Sequence, residues 1–208
     1  MGAATVYEAA GRTGLIDLLF HQIGPAGAVA GPARTVACGQ GDNLMVHAAI
    51  PALREGEVLV VAMPDPQPVA LVGDLLVTQM LARGAAGLVL NGAVRDVAAL
   101  RQLGLPIWTS FVRVRGAERQ VVGRVGGPVD IGGATVTTGD IVVADADGVV
   151  VVDATRVGQV LEAAEDRERG EHDKRAQFEE GVMSFELYRL AERWPELRGP
   201  AATSGDGG

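Results

Sequence analysis

The chain has 208 residues, of which 48% are hydrophobic but only 4% aromatic, so its core must consist mainly of aliphatic side chains. This length favours one domain, or one domain with an appendage. The net charge of −8 argues against a general nucleic-acid binder, because such proteins usually carry a basic patch.

Helical and extended patterns alternate through the first sixty residues. Apolar residues at helical spacing predict one helix, and the Gly41-Asp42-Asn43 motif is predicted to open a second, with Leu44, Ala48 and Leu53 on one face. The predicted elements are a helix over 7–20, a strand over 34–38, the helix after Asn43 and a buried strand over 57–63.

The clearest pattern lies between residues 69 and 111, where apolar strands alternate with helices. Gly84 and Gly104 are expected to end the helices, and turns are predicted at Gly73-Asp74 and Asn91-Gly92. This βαβαβ alternation favours parallel strands covered by helices, and therefore an α/β fold. The predicted elements are strands over 69–72, 86–90 and 106–111, and helices over 75–83 and 96–103.

After Arg113 the pattern changes to short apolar segments separated by glycines, which indicates antiparallel strands. The stretch Gly123–Gly127 is expected to be a tight turn. We expect one domain over residues 1–198, which includes a C-terminal helical arm over 154–198, and a loose tail over 199–208. The predicted elements are strands over 120–122, 128–131, 134–137, 140–144 and 149–152, a charged helix over 154–180 broken near Gly170, and a helical stretch over 184–193.

Several kinds of chemistry are made improbable by single residues. Lys174, the only lysine, lies in a strongly charged run, so it is a poor candidate for Schiff-base catalysis. The single cysteine, Cys38, excludes an internal disulfide and is expected to be a buried thiol. The three histidines show no ligand spacing, and structural or surface positions are expected for His21, His47 and His172.

The turn at Gly73-Asp74-Leu75-Leu76 follows a strand and opens a helix, which is where open α/β sheets gather their ligands. Gly73 permits close approach of a ligand to the backbone. The free N–H groups of Leu75 and Leu76 would favour an anion such as a substrate carboxylate. The plainer alternative is that Asp74 only caps the helix.

A second such turn carries Arg95 and Asp96 side by side. The guanidinium of Arg95 could hold a carboxylate or an enolate oxygen, and Asp96 could bind a hard cation such as Mg²⁺. Asp96 could also simply cap the following helix. Ala99 gives it no capping box, which slightly favours the functional interpretation.

These residues resemble a known family. An Asp followed by twenty residues and then Arg-Asp marks the class II 4-hydroxy-4-methyl-2-oxoglutarate / 4-carboxy-4-hydroxy-2-oxoadipate aldolases of the RraA-like family. Asp74, Arg95 and Asp96 have this spacing. The resemblance covers roughly residues 5 to 195, and three further segments carry it: 41–45, 92–96 and 139–150.

The resemblance implies a role for each residue. Asp96 would bind Mg²⁺ or Mn²⁺, with water molecules as most of the other ligands. Arg95 would contact the pyruvoyl part of the substrate. Asp74 would take part in catalysis by helping to hold the water that accepts the hydroxyl proton. The backbone of Gly73 to Leu76 would hold the substrate carboxylate. Glu171, or as second choice Glu168, would reach the metal's water shell from a neighbouring subunit. The implied fold is a swivelling β/β/α domain with a central mixed sheet, assembled as a homotrimer or hexamer.

The implied reaction is a metal-dependent retro-aldol cleavage of a 4-hydroxy-2-oxo di- or tricarboxylate to pyruvate and a 2-oxo acid, with oxaloacetate decarboxylation as a related activity. The sequence departs from the family at Ala99 and Asn91, where acids are common. The alternative from the same family is a non-catalytic regulator of an RNA-degrading endonuclease. The chain shows no membrane or export signal, so a cytoplasmic protein without nucleic-acid or membrane partners is expected.

Overall fold

The computed structural model describes residues 1–197, and the predicted tail over 199–208 lies outside them. The chain divides into two compact units, residues 1–165 and the segment that begins at Asp166. The first unit contains every strand and the four short helices, and the second consists of helical segments. Each unit is described by itself.

A central mixed sheet organises the first unit. Its strands are β1 (His21–Ile23), β2 (Val29–Ala37), β3 (Val58–Ala62), β4 (Ala70–Val72), β5 (Gly87–Val94), β6 (Ile107–Val112), β7 (Arg124–Val125), β10 (Ile141–Ala144) and β11 (Val149–Val152), while β8 (Val129–Ile131) and β9 (Ala134–Val136) form a separate hairpin. The main path runs β1-β6-β5-β3-β2-β10-β11, with β4 beside β5 and β7 beside β2.

The predicted parallel βαβαβ core is confirmed. Strands β4, β5 and β6 pair in parallel, and β5 also pairs in parallel with β3, which in turn pairs with β2. The strands after β6 pair antiparallel, as expected from their glycine-separated pattern. All five residues of β3 are buried, which is typical of a strand covered on both faces.

Helices cover one face of this sheet. Those of the first unit are α1 (Ala3–Ala9), α2 (Leu44–Ala49), α3 (Asp74–Ala82) and α4 (Val97–Leu103). Alternate residues of β3 contribute to two different cores. Leu59 and Val61 belong to the core that contains the apolar residues of α2, α3 and α4, whereas Val58 and Val60 belong to the core that contains the β8–β9 hairpin and β10. The fold is therefore the predicted β/β/α arrangement around a mixed sheet.

The C-terminal helices are α5 (Val157–Glu179), which crosses the boundary between the units, α6 (Ser184–Leu187) and α7 (Leu190–Arg193). The break predicted near Gly170 is wrong, since α5 continues through this residue. No helix within residues 1–197 is both long enough and apolar enough to cross a membrane.

The predicted helix over residues 7–20 is wrong. The helix lies earlier, over Ala3–Ala9, and three left-handed residues after it, Gly11, Arg12 and Gly14, turn the chain into an extended segment. Ile16 is then buried, and its N–H donates to Val149 O at 3.0 Å. The apolar residues of this stretch thus serve an extended chain rather than one helical face.

The predicted turn at Asn91-Gly92 and the predicted strand over 120–122 are wrong, because in each case a side chain forms hydrogen bonds with the backbone. The turn at Asn91-Gly92 is instead buried inside β5, where the Asn91 amide donates to Met63 O and accepts from Met63 N, both at 2.8 Å. Residues 120–122 form no strand, because the N–H groups of Gln120 and Val121 donate to the carboxylate of Asp42.

Two smaller predictions concern burial, and one of them is confirmed in full. The helix after Asn43 is present, but it buries Met45, Val46 and Ala49, and Ala48 is exposed. Cys38 is buried, and burial raises the pKa of its thiol to about 12. This confirms the expected buried thiol.

Candidate active site at the carboxyl ends of β4 and β5

The two predicted strand-to-helix turns meet at one edge of the sheet. Because β4 and β5 are parallel and Val72 pairs with Val94, the next residues, Gly73 and Arg95, leave the sheet side by side. The N–H of Arg95 donates to Val72 O at 3.1 Å and fixes this register. The structure therefore brings together Gly73 and Arg95, which are twenty-two positions apart in sequence.

Gly73 is required here by space rather than by backbone conformation. Its φ of −136° is an extended value that any residue adopts. A Cβ at this position would lie 2.6 Å from Asp96 Oδ2 and 3.3 Å from Arg95 Cγ and Nε. The missing side chain of Gly73 is thus what lets Arg95 and Asp96 pack against the start of α3.

Asp96 stands at the N-cap position of α4 but does not cap it. Its backbone is left-handed, with φ of 60° and ψ of 37°, and its side chain makes no capping hydrogen bond. A non-glycine residue in this region costs about 1–3 kcal/mol and persists only where its surroundings impose it. Its carboxylate, 41% exposed, has Arg95 Nε at 3.5 Å from Oδ2. The capping alternative is therefore wrong for Asp96.

Asp74 is not the cap of α3 either. Gly73 takes the N-cap position, and Asp74 is the first helical residue. Its Oδ1 accepts the N–H of Leu75 at 2.8 Å, so the expectation that the Leu75 N–H is free does not hold in this structure. The side chain of Leu75 is exposed, whereas Leu76 is buried in the helix-facing core.

A segment after β6, residues 115–121, borders the turns and is called the covering segment below. The N–H of Ala70 donates to Arg115 O at 2.7 Å, and the N–H of Ala117 donates to Ala70 O at 3.2 Å. A Cβ at Gly116 would lie 2.9 Å from Arg95 Nη1. The guanidinium of Arg95 is therefore flanked by two glycines, Gly73 below its aliphatic part and Gly116 at its tip.

Two adjoining hollows open at this edge. The first has a volume of about 210 Å³ and lies between the N-terminus of α3, α2, Arg95 and the covering segment. Its lining residues are Asn43, His47, 70–76, Gln79, Arg95, Ala117 and Arg119. The second is wider and more open, and it is lined by Asp74, Arg95, Asp96, Val97 and Val112–Val114. Asp74 and Arg95 line both, so they stand where the two hollows join.

Several residues of the first hollow were not predicted from sequence, among them Asn43, His47 and Arg119. Asn43 Nδ2 donates to Leu71 O at 2.9 Å, while its buried Oδ1 has no hydrogen-bond partner among residues 1–197. Burial and the charge of Arg119 both lower the pKa of His47, so its imidazole is neutral at pH 7. The available signal was the i, i+4 spacing of Asn43 and His47, which places both on one side of α2.

Asp96 fits a hard divalent cation that keeps most of its water. Mg²⁺ is commonly bound through one or two carboxylates, with waters and substrate completing its shell. Asp96 offers one uncapped, accessible carboxylate, and no cluster of three or more His, Cys, Asp or Glu side chains suited to a metal exists in the described residues. A cation here would therefore have a single direct protein ligand from this chain.

The predicted outer-shell acids belong to the second unit. Glu171 lies on α5 and pairs with Arg167 one turn earlier, with Nε and Oε1 2.9 Å apart. Glu168 lies on the same helix. Their proposed contact with a neighbouring subunit's metal stays a prediction.

Matches to known sequences cover most of the site-bearing unit. The sequence model of the RraA-like family, described as Aldolase/RraA, matches residues 3–151. A protein of Halalkalibacterium halodurans named "Putative 4-hydroxy-4-methyl-2-oxoglutarate aldolase" is 31% identical over 160 residues, which cover 77% of this chain and 76% of that protein.

Solved structures give a second kind of match. The crystal structure of Streptomyces coelicolor RraAS2, described as an unusual member of the RNase ES inhibitor RraA protein family, is 29% identical with a TM-score of 0.77 and covers 85% of this chain and 93% of that one. The structure of the RNA-processing inhibitor RraA from Thermus thermophilus is 25% identical with a TM-score of 0.67 and covers 73% and 92%, respectively.

Proposed function

The chain belongs to the RraA-like family, and we propose that it is a divalent-metal-dependent lyase that cleaves 4-hydroxy-2-oxo di- or tricarboxylates to pyruvate and a second 2-oxo acid. The observation that carries this proposal is the uncapped Asp96 carboxylate beside Arg95 at the junction of two hollows. A purely structural role would leave neither the left-handed backbone nor the missing cap explained.

The substrate would be held by its pyruvoyl half. The carboxylate would lie at the N-terminus of α3 along the backbone of Gly73 to Leu76, where the N–H of Leu76 and the positive end of the helix favour an anion while Asp74 holds the N–H of Leu75. The guanidinium of Arg95, which is half exposed, would face the same group and the 2-oxo oxygen. An arginine suits this task because its planar fork can bind two oxygens at once.

Cleavage breaks the C3–C4 bond and leaves its electron pair on the pyruvoyl part, where it spreads onto the 2-oxo oxygen as an enolate. Arg95 places a fixed positive charge beside the oxygen that gains charge, and such preorganised contacts are often a large term in catalysis. A cation on Asp96 would supply Lewis acidity toward the 2-oxo group. Proton transfer to C3 then completes pyruvate, and decarboxylation of oxaloacetate would use the same site because it forms the same enolate.

The C4 hydroxyl must lose its proton as the bond breaks. Asp74 lines both hollows, and its Oδ1 is occupied by the N–H of Leu75. Its Oδ2 accepts no hydrogen bond from residues 1–197, so it is available to order a water or take the proton. We therefore assign Asp74 to proton transfer, either directly or through one water.

We also propose that Glu171 completes the metal's water shell from a neighbouring subunit of a homotrimer or hexamer. Support comes from the charge of α5, whose described buried residues are only Val160 and Ala164, both near its beginning. Most of the remaining residues of the helix are exposed, which leaves its acidic surface accessible to another subunit. Outer-shell partners of this kind typically change metal affinity or activity by about 10–100-fold.

The rival proposal is a non-catalytic regulator of an RNA-degrading endonuclease. Two structural relatives are described as inhibitors of RNA processing or of an RNase, and the acidic net charge suits binding to a basic protein surface. The rival predicts no role for the Asp96 carboxylate in turnover.

A coupled pyruvate assay separates the two proposals. Purified protein is given 4-hydroxy-4-methyl-2-oxoglutarate with Mg²⁺, with Mn²⁺, or with a chelator, and pyruvate is followed through lactate dehydrogenase. We expect release that requires the cation and disappears in Asp96→Asn. Absence of pyruvate from this substrate, its tricarboxylate analogue and oxaloacetate, together with inhibition of an endonuclease by both wild type and variant, would favour the rival.

A further inference from the structure

The Gly41-Asp42-Asn43 motif has a structural task that the reaction itself does not explain. Asp42 is only 1% exposed, and its carboxylate accepts three backbone N–H groups: Leu44 at 2.8 Å, Gln120 at 2.6 Å and Val121 at 3.1 Å. Backbone bonds on both sides of it join the same segments, from Asn43 N to Glu118 O and from Glu118 N to Gly41 O. The motif thus clamps the covering segment to the start of α2.

The bonds of this clamp lie on either side of Arg119 in the chain, and Arg119 itself is exposed. Its two chain neighbours, Glu118 and Gln120, are the residues that the motif binds. Arg119 lines the first hollow together with His47, and its charge contributes to lowering the pKa of that histidine. The backbone that carries Arg119 is therefore fixed at both ends, while its side chain projects along the hollow's wall.

Arg119 has no carboxylate partner within 4.0 Å in the part of the chain that the structure describes. Other arginines of the site region are engaged: Arg95 lies beside Asp96, and Arg113 Nη1 donates to the carbonyl oxygen of Val112 at 2.7 Å. The first hollow is therefore lined by two guanidinium groups. That of Arg95, beside Asp96, is assigned to the pyruvoyl end of the substrate, and that of Arg119 is not paired with an anion of the described residues.

The proposed substrates carry a second anion, the carboxylate on C4. We propose that Arg119, positioned by Asp42, binds this distal carboxylate and makes the site selective for 4-hydroxy-2-oxo dicarboxylates over monocarboxylates. This inference rests on the proposed lyase function. Asn43 adds to it, because its buried, unpaired Oδ1 is an acceptor for a substrate hydroxyl in the same hollow.

The test separates the two halves of the substrate. Cleavage of 4-hydroxy-4-methyl-2-oxoglutarate needs both ends, whereas exchange of the pyruvate methyl protons with deuterated water, followed by NMR, needs only the pyruvoyl end. In Arg119→Ala we expect kcat/KM for cleavage to fall about 10- to 100-fold, mainly through KM, because a charge-assisted hydrogen bond is lost. We expect methyl-proton exchange to stay within about twofold of wild type.

Arg115→Ala is the matched control, since Arg115 lies on the same covering segment but does not line the hollow. It should leave both rates near those of wild type. Asp42→Asn should raise KM as Arg119→Ala does, and the double variant should be little worse than Arg119→Ala alone, because Asp42 acts through Arg119. Arg119→Lys should recover part of the lost affinity.

The outcomes are distinguishable. If wild type neither cleaves the dicarboxylate nor exchanges pyruvate protons, the proposed function itself fails, and this inference fails with it. If wild type does both and Arg119→Ala matches it in cleavage, the assignment of Arg119 is wrong. An equal loss of cleavage and exchange in Arg119→Ala would also overturn it, because the residue would then support the whole site rather than the distal carboxylate.

Discussion

The substitution Gly73→Ala is expected to abolish most activity while leaving the protein folded. A methyl group on Gly73 would sit 2.6 Å from Asp96 Oδ2, whereas ordinary contact begins at 3.4 Å, so the carboxylate must retreat by at least the missing 0.8 Å. The backbone of Gly73 is extended, so alanine adds no conformational strain there. The perturbation is therefore confined to the position of Asp96 and the adjacent Arg95.

A shift of 0.8 Å in the Asp96 carboxylate is large enough to affect catalysis. A misplacement of about 1 Å can cost about 10²-fold in rate, so we expect kcat to fall by at least about tenfold and up to a hundredfold. Because Asp96 is accessible and can swing outward, the cost in folding free energy should be small. Circular dichroism and the thermal midpoint should stay close to those of wild type.

Gly104→Ala is the matched control for this prediction. Gly104 ends α4, with φ of 79° and nothing within 4 Å of an added Cβ. Alanine there should cost about 1–2 kcal/mol of stability, because a left-handed backbone is strained for any residue with a Cβ, and it should leave kcat unchanged. If Gly73→Ala keeps wild-type kcat, or if both variants lose activity in proportion to stability, our account of the close approach is wrong.

Four other predictions follow from the same geometry. Asp96→Asn should remove one Mn²⁺ site per chain, measured as free Mn²⁺ by electron paramagnetic resonance; unchanged binding would exclude Asp96 as ligand. Arg95→Lys should lower kcat by about 10²–10³, and a change confined to KM would mean that Arg95 only binds substrate. Burial opposes ionisation of Asp42, but its three N–H donors outweigh burial and hold its pKa below the ordinary 3.8. The ionised carboxylate therefore contributes folding stability above pH 3.8, and this contribution should be lost as the pH falls through the lowered pKa of the folded protein. Thermal unfolding measured against pH should show this loss in wild type and not in Asp42→Asn. Mixing Asp96→Ala with Glu171→Ala chains should restore some activity if Glu171 serves a neighbour, and full activity of Glu171→Ala alone would exclude that role.

The periodic part of the fold was predictable from sequence because local pattern and tertiary position agree there. Strands β3 to β6 are apolar runs between strong turn signals, and Gly84 and Gly104 end α3 and α4 with the left-handed backbone expected of such residues. The same agreement placed Gly73 and Arg95 at strand ends. Parallel pairing then brings them together without any further information.

Two of the failed predictions, the turn at Asn91-Gly92 and the strand over 120–122, share a physical cause: a side chain made a hydrogen bond that the sequence pattern cannot show. Asn91 has the composition of a turn, yet its amide binds the backbone of Met63 and lets β5 continue. The Asp42 carboxylate likewise takes N–H groups that a strand over 120–122 would have used. Arg119 was missed for a related reason, since the bonds that Asp42 and Ala70 make to the covering segment bring residue 119 to the site.

Metal-dependent cleavage at Asp96 is tested by Mg²⁺-dependent pyruvate release from 4-hydroxy-4-methyl-2-oxoglutarate, measured for wild type and Asp96→Asn side by side at matched concentration and confirmed fold. Asparagine keeps the shape of the side chain and tolerates the left-handed backbone, so only the charge of the carboxylate is removed. We expect turnover by wild type that a chelator abolishes, and a loss of at least about 10²-fold in the variant. If turnover persists in Asp96→Asn, or proceeds equally well in the presence of the chelator, the protein is not a lyase that depends on a metal bound by Asp96.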